Sequence, residues 1–411
     1  MQIKLNPCKI CGNIYAPASK SMLIRAFAAS VLCKGKTIIR NFTLCDDVET
    51  AINIIKSLGA EIEIHSSEIQ ITGTFVNKIT NLYCGESALC LRMFAPVAGF
   101  FSDDFEASGK NTLLNRNIGD LMQALNLLGM KCENKKYLPV RLKGKIKGGK
   151  IKIDANGTSQ TLSGLLTILP LCSENSVIDV ENLHSKPYID LTVSILEKFG
   201  VKIINKNYKS FFIKGNQSYN ACTLNIEGDW SGVSCLLAAA ATGGNITVEN
   251  LNPKSKQADV AMLDVLRLCG ANVMIEKNKI TVEKNRLNAF EFDATDCPDL
   301  FPAIVALAAN CKGTSIVKGA LRLQNKESNR AKILQSEFAG LGIKIELKED
   351  IMYIFGNSIG SATVSAHNDH RIAMALAAAS VNASGNIIIE NAECVTKSYP
   401  DFWKDFSEIT N

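Results

Sequence analysis

Apolar and polar positions along the chain fall into a pattern that repeats. Five times a stretch with helical spacing ends in glycine and gives way to alternation. The five are Leu58–Gly59–Ala60–Glu61–Ile62, Leu128–Gly129–Met130–Lys131–Cys132, Phe199–Gly200–Val201–Lys202–Ile203, Cys269–Gly270–Ala271–Asn272–Val273 and Leu341–Gly342–Ile343–Lys344–Ile345. A period near 3.6 marks a helix face and a period of two marks a strand. Glycine is the residue that closes a helix in a left-handed conformation. Each segment therefore predicts an amphipathic helix followed by a strand, and the glycines recur about every 70 residues.

A second series has the same period and six members. These begin at Ser19–Lys20–Ser21, Glu86–Ser87, Thr158–Ser159–Gln160, Asp229–Trp230–Ser231, Pro298–Asp299 and Asp369–His370–Arg371, and each runs into an apolar stretch. Several end alike, in Ala26–Phe27–Ala28–Ala29, Leu237–Ala238–Ala239–Ala240, Ala306–Leu307–Ala308–Ala309 or Leu376–Ala377–Ala378–Ala379. Small apolar residues on every side of a helix predict that it is buried all round. The chain thus reads as six copies of a unit with a buried helix, an amphipathic helix and several strands, three copies to a domain. One continuous solenoid fits less well, because solenoid repeats run about 20–45 residues.

The buried helices are all predicted to start at an N-cap residue, Ser, Thr or Asp, and polar groups cluster at those starts. Helix N-termini carry free N–H groups and partial positive charge, so a set of them gathered on one face would attract anions. Ordinary capping of structural helices is the alternative reading.

Composition narrows the class. The 411 residues exceed one ordinary core. Hydrophobic content of 46% with 21% charged residues is the balance of a soluble globular protein. A net charge of +5 is too small to call for nucleic acid, though it suits a basic cleft for a small anion. Residues 1–6 have no apolar signal core, and no run reaches the roughly 18 apolar residues of a membrane helix. Fourteen cysteines without framework spacing, many inside apolar runs, point to free thiols in a reducing cytosol. A cytoplasmic protein without nucleic-acid or membrane partners is expected.

Several segments carry chemistry. Lys20, Ser21 and Arg25 stand at one helix start, with Ser21 and Arg25 sharing a face. Cations there oppose the helix dipole unless an anion is bound. Asp369–His370–Arg371 repeats the pattern, with Asp369 the expected ion-pair partner of Arg371 if that arginine is structural. Lys326–Glu327–Ser328–Asn329–Arg330, preceded by Arg322, lies between a strand and a helix. Asp299 opens an apolar helix, either as a cap or as a base. His367 and His370 lack companion ligands, so no metal site is expected. Gly144-x-x-x-x-Gly149–Lys150 is followed by Ile151 and a strand pattern, which excludes a phosphate loop. Cys8-x-x-Cys11 has no second pair, which leaves it without a metal or redox reading.

Together these segments resemble the EPSP synthase family of enolpyruvyl transferases over nearly the whole chain. The resemblance is carried by Ser19–Lys20–Ser21 with Arg25, Cys84–Gly85–Glu86–Ser87 ending in Arg92, Arg116–Asn117–Ile118–Gly119, Ser159–Gln160 and Ser185–Lys186–Pro187–Tyr188–Ile189–Asp190. In the second half it is carried by Pro298–Asp299, Lys326–Glu327–Ser328 with Arg330, Asn368–Asp369–His370–Arg371–Ile372–Ala373–Met374 and Lys397–Ser398–Tyr399–Pro400–Asp401. It implies an α/β fold of the α+β type: two similar domains, each of three βαβαββ repeats with buried parallel helices, an inside-out barrel. The expected domains are residues 1–17 plus 228–411, and residues 18–227, with the active site in the cleft between them.

The resemblance also implies roles. Shikimate 3-phosphate would be held by Lys20, Ser21, Arg25, Ser159, Gln160, Ser185, Tyr188, Asp299, Arg322 and Lys326. Phosphoenolpyruvate would be held by Lys20, Ala88, Arg116, Gln160, Arg330, Arg371 and Lys397. Asp299, Glu327 and Lys20 would transfer protons. No metal or organic cofactor is implied, and a monomer is expected. The family's usual Asn-Ser/Ala-Gly-Thr stretch is here Glu86–Ser87–Ala88–Leu89, so a methyl stands beside phosphoenolpyruvate and should disfavour glyphosate. Asn329 stands where the family usually has Asp. The alternatives are a UDP-N-acetylglucosamine enolpyruvyl transferase, usually marked by a Lys–Asn pair, and a catalytically silent anion-binding protein.

Overall fold

The computed structural model describes residues 1–73, 78–133 and 136–410. They form two compact units, residues 1–19 with 227–411, and residues 20–226. The division stands at 19/20 and 226/227, where the sequence placed it at 17/18 and 227/228. Backbone pairing accounts for the shift: Ala18 bridges Gly228, and the Ser19 N–H donates to the Glu227 carbonyl at 2.9 Å.

In residues 20–226 the predicted unit occurs three times. Each copy has a four-stranded sheet, the first pair parallel and the rest antiparallel. Their orders are Thr223–Asn225, Lys36–Arg40, Glu68–Thr72, Glu61–Ile64; then Asn81–Tyr83, Asp104–Ser108, Val140–Lys143, Lys131–Cys132; then Lys150–Asp154, Ser176–Glu181, Ser210–Ile213, Ile203–Lys206. Alternation sets their faces: in Lys150–Asp154 only Ile151 and Ile153 are buried. The buried helices are Lys20–Ser30, Ala88–Phe101 and Gln160–Ile168; the amphipathic ones are Asp46–Ser57, Gly119–Leu127 and Lys186–Lys198. The first strand of the first repeat, Thr223–Asn225, comes from the far end of the unit.

The other unit is built the same way. Ile10–Tyr15 pairs parallel with Gly244–Glu249, and Glu291–Asp293 with Thr314–Lys318, each in a four-stranded sheet. The third sheet has three strands among the described residues, with Gln2–Leu5 antiparallel to Ile387–Glu390. Helices Trp230–Gly243, Phe301–Ala308 and His370–Ser380 pack on one another and are buried almost throughout. All five marker glycines adopt positive φ, between 81° and 100°. No helix among the described residues is long and apolar enough to cross a membrane.

Side-chain capping is found at three of the six buried helices. Ser87 accepts from the Cys90 N–H, Asp229 from Gly232 and Asp369 from Arg371. At Gln160–Ile168 the Thr158 hydroxyl bonds the Gln160 N–H in place of Ser159. Phe301–Ala308 is entered through a 3₁₀ turn, Pro298–Leu300, whose proline has no N–H to cap. The buried Ser19 hydroxyl has no partner among the described residues.

Gly164 fixes how closely two buried helices approach. A Cβ there would lie 1.9 Å from the carbonyl oxygen of Arg92 on Ala88–Phe101. Gly164→Ala should therefore cost about 1–3 kcal/mol through overpacking, read as a lowered urea midpoint at unchanged slope. A midpoint equal to the parent's would show that the helices part freely.

Candidate active site

In the unit of residues 1–19 and 227–411, charged groups converge at helix starts. Asp299 lies in the 3₁₀ turn before Phe301–Ala308, Arg330 opens Arg330–Gly340, and Arg371 is the second residue of His370–Ser380. One Asp299 oxygen meets Arg330 Nη1 at 2.9 Å, Lys326 Nζ at 3.2 Å and Arg371 Nε at 3.7 Å. Arg330 is completely buried. It donates to Glu327 at 2.6 Å and, through Nε and Nη2, to both Asp369 oxygens at 2.9 and 3.1 Å.

Electrostatics follow from that packing. Burial would raise the Asp299 carboxyl, but Lys326, Arg371 and Arg330 outweigh it and hold the group well below the usual carboxylate range. Burial lowers the Lys326 ammonium despite the pull of Asp299. Burial would likewise lower Arg330, yet Asp369, Glu327 and Asp299 raise it further. Arg322 is lowered by burial, with Asp296 and Asp299 opposing. Lys397 is buried at the end of the 3₁₀ turn Ala392–Lys397, which packs on His370–Ser380.

Asp369 pairs with Arg330, not with its neighbour Arg371. Its carboxylate caps the Arg371 N–H and accepts from Ser328, so Asp369 faces back toward the Arg330 helix. Arg371 instead faces Asp299 and donates to the Ser231 carbonyl at 3.4 Å. Asn329 caps the Arg330 helix by accepting from the Lys332 N–H at 3.4 Å. His367 bonds Glu337 at 2.8 Å, whereas His370 is buried. No group of three or more potential metal ligands occurs among the described residues.

Residues 20–226 hold two further groups. The buried Arg25 donates to Thr192 Oγ1 and the Ser21 carbonyl, both at 2.8 Å, and lies 5.9 Å from the Tyr188 ring centroid. Burial pushes its guanidinium down to about 10. Ser185, in a left-handed conformation, leads into the helix that carries Tyr188. Lys20 forms an ion pair with Asp47 at 2.8 Å, and the Asp47 carbonyl accepts from the Cys90 thiol two residues beyond Ala88. Arg116 stands at the end of the turn Asn111–Asn115 and Gln160 at the start of Gln160–Ile168. Gln160 Oε1 is buried without a partner among the described residues.

Sequence reasoning missed Asp47, Thr192 and Asp259. An acid in a first turn reads as a complement to the helix dipole, which hid Asp47. Nothing local singles out Thr192. Asp259 sits in the 3₁₀ turn Ala258–Ala261, nearly inaccessible.

A family model described as EPSP synthase (3-phosphoshikimate 1-carboxyvinyltransferase) matches residues 6–406. The chain belongs to the EPSP synthase family. It is 36% identical to the 3-phosphoshikimate 1-carboxyvinyltransferase of Clostridium kluyveri over 415 residues, spanning 99% of this chain and 97% of that one. It is 37% identical to the one from Clostridioides difficile over 423 residues, again spanning 99% and 97%. In fold it matches EPSP synthase from Acinetobacter baumannii, with a TM-score of 0.83 at 22% identity over 100% of this chain and 98% of that one. The enolpyruvyl transferase NikO from Streptomyces tendae matches at 0.78 and 13% identity over 99% and 97%. Within the EPSP synthase family pattern, Ala88 opens a helix capped by Ser87, and both it and Leu89 are buried.

Asp259 gives a pH signature. Burial, then Asp299, push its carboxyl up to about 7, against the pull of Arg371 and the Ser231 hydroxyl. The folded state therefore holds this proton above the usual carboxylate range near 4, and stability falls as pH rises from about 4 to about 7. Asp259→Asn removes that loss. Relative to the parent, it should gain up to about 4 kcal/mol between those pH values, at ~1.4 kcal/mol per unit. Urea titrations at pH 4.5 and pH 7.5 measure this; an equal difference at both would refute the assignment.

Proposed function

We propose that the chain is a cytoplasmic enzyme that transfers the enolpyruvyl group of phosphoenolpyruvate to the 5-hydroxyl of shikimate 3-phosphate. The products are 5-enolpyruvylshikimate 3-phosphate and phosphate, on the shikimate route to chorismate and the aromatic amino acids. The observation that carries this reading is the Asp299 carboxylate held among Lys326, Arg330 and Arg371, with Glu327 on the same guanidinium. Membership in the family and the near full-length relatives support it.

The chemistry uses this set. The 5-hydroxyl oxygen bonds to C2 of phosphoenolpyruvate, its proton passes to a base, and C3 gains a proton. The tetrahedral adduct then loses phosphate as C3 gives up a proton and the double bond returns. Asp299 takes the hydroxyl proton; Glu327 and Lys20 are the groups for C3. Its low pKa makes Asp299 a weak base while the cations pull on it. Phosphate and carboxylate groups on those cations would cancel the pull and raise it toward a working range. Arg116, Gln160, Arg330, Arg371, Lys397 and Lys20 hold phosphoenolpyruvate. Ser21, Arg25, Ser159, Gln160, Ser185, Tyr188, Arg322 and Lys326 hold shikimate 3-phosphate.

Phosphate release with phosphoenolpyruvate and each acceptor tests the reading. Turnover is expected with shikimate 3-phosphate; turnover with UDP-N-acetylglucosamine, or with neither, would overturn it. Asp299→Ala should lose at least about 100-fold in kcat and still bind shikimate 3-phosphate in an equilibrium titration.

Ala88 bears on inhibition. Glyphosate is longer than phosphoenolpyruvate, and a pocket discriminates by about tenfold or more for each methyl-sized clash. Glyphosate should therefore inhibit weakly, and Ala88→Gly should lower its inhibition constant by about that factor. An unchanged constant would remove Ala88 from the account.

A further inference from the structure

Arg92 is the fifth residue of an apolar helix, Ala88–Phe101, with its side chain only 6% exposed. A charge in that position costs several kcal/mol unless it is paired and hydrogen-bonded. Its Nη2 donates to the Asn117 carbonyl at 2.9 Å and meets Asp120 Oδ1 at 3.3 Å. Asp120 belongs to the first turn of Gly119–Leu127, and its other oxygen accepts from the Thr161 hydroxyl. Thr161 directly follows Gln160. Thus one ion pair, buried on its Arg92 side, ties the loop that bears Arg116 to the helix start that bears Gln160.

Other bonds leave that loop little freedom. The Arg116 N–H donates to Leu113 and the Ile118 N–H to Lys136, while Asn117 Oδ1 accepts from the Gly119 N–H at 2.9 Å. The Arg92 bond reaches into a buried helix. We propose that Arg92, Asp120 and Thr161 form a strut whose role is to place Arg116 for phosphoenolpyruvate, with the helix start at Thr161 as its anchor. The proposal rests on the reading of Arg116 as a phosphoenolpyruvate-holding group. Arg92 and Asp120 are positioning residues, because neither is assigned a substrate contact. Burial alone would raise the Asp120 carboxyl, but Arg92 and the Thr161 hydroxyl more than offset it, so Asp120 stays ionised at neutral pH.

Steady-state kinetics of the full chain test this, with shikimate 3-phosphate affinity measured separately by equilibrium titration. Arg92→Ala and Asp120→Ala should each raise KM for phosphoenolpyruvate about tenfold, and the double variant also about tenfold, not the about hundredfold of independent residues. Shikimate 3-phosphate affinity should change by no more than about twofold. Thr161→Val keeps the packing volume and should raise the same KM about threefold; it carries the test if the larger truncations do not fold. A merely structural strut would weaken both substrates in step, or lower kcat with KM unchanged, and either result overturns the proposal. So would additive single effects. A parent without turnover on the two substrates overturns the functional reading, and the strut's role with it. An active parent whose variants keep its KM overturns this proposal alone.

Discussion

A guanidinium with no exposed surface must have its charge answered inside the protein, and Arg330 has Asp299, Glu327 and Asp369 around it. Those three carboxylates come from three separate segments of the chain. The bonds therefore do more than satisfy one cation. They fix a 3₁₀ turn, a loop and a helix start to each other at the point where Lys326 and Arg371 also arrive. An ion pair this deep adds little net stability compared with apolar packing, because desolvation consumes most of the attraction. What it supplies is geometry and charge state. It keeps Asp299 ionised and oriented.

The repeat explains how one chain places so many polar groups at comparable positions. Each buried helix begins near the end of a strand that runs parallel to the next. Its first turn is therefore where polar side chains gather in an otherwise apolar body, many of them buried. The residues there differ from repeat to repeat: Ser87, Asp229 and Asp369 cap, Pro298 removes a donor, and Lys20 and Gln160 open their helices. In the helix bodies, Gly164 and the alanine runs permit the close packing.

Much of this was legible in the pattern of residues. The marker glycines, the alanine-rich helices and the strand after Gly149–Lys150 all have local signatures, and local signatures are what periodicity detects. The cationic starts at Lys20, Arg25, Arg330 and Arg371 stood out because cations are unfavourable at helix N-termini. What stayed hidden depended on distance in sequence. Asp369 lies two residues from Arg371 and 39 from Arg330, yet it bonds the distant one, because its cap geometry turns the carboxylate backward. Asp47 and Thr192 meet Lys20 and Arg25 only through packing between helices. The sheet with three strands was equally unreadable, because its third strand is donated by the first residues of the chain.

That donated strand, with Ile10–Tyr15 and Thr223–Asn225, sets an order for assembly on the ribosome. Residues 20–226 can finish their sheets as soon as Thr223–Asn225 has emerged, since every strand they need is already made. Residues 1–19 must wait far longer. Ile10–Tyr15 needs Gly244–Glu249, and Gln2–Leu5 needs Ile387–Glu390, which is made long after it. The nested portion can thus fold co-translationally while the enclosing portion holds two exposed strands in reserve, and chaperone contact is most needed in that interval.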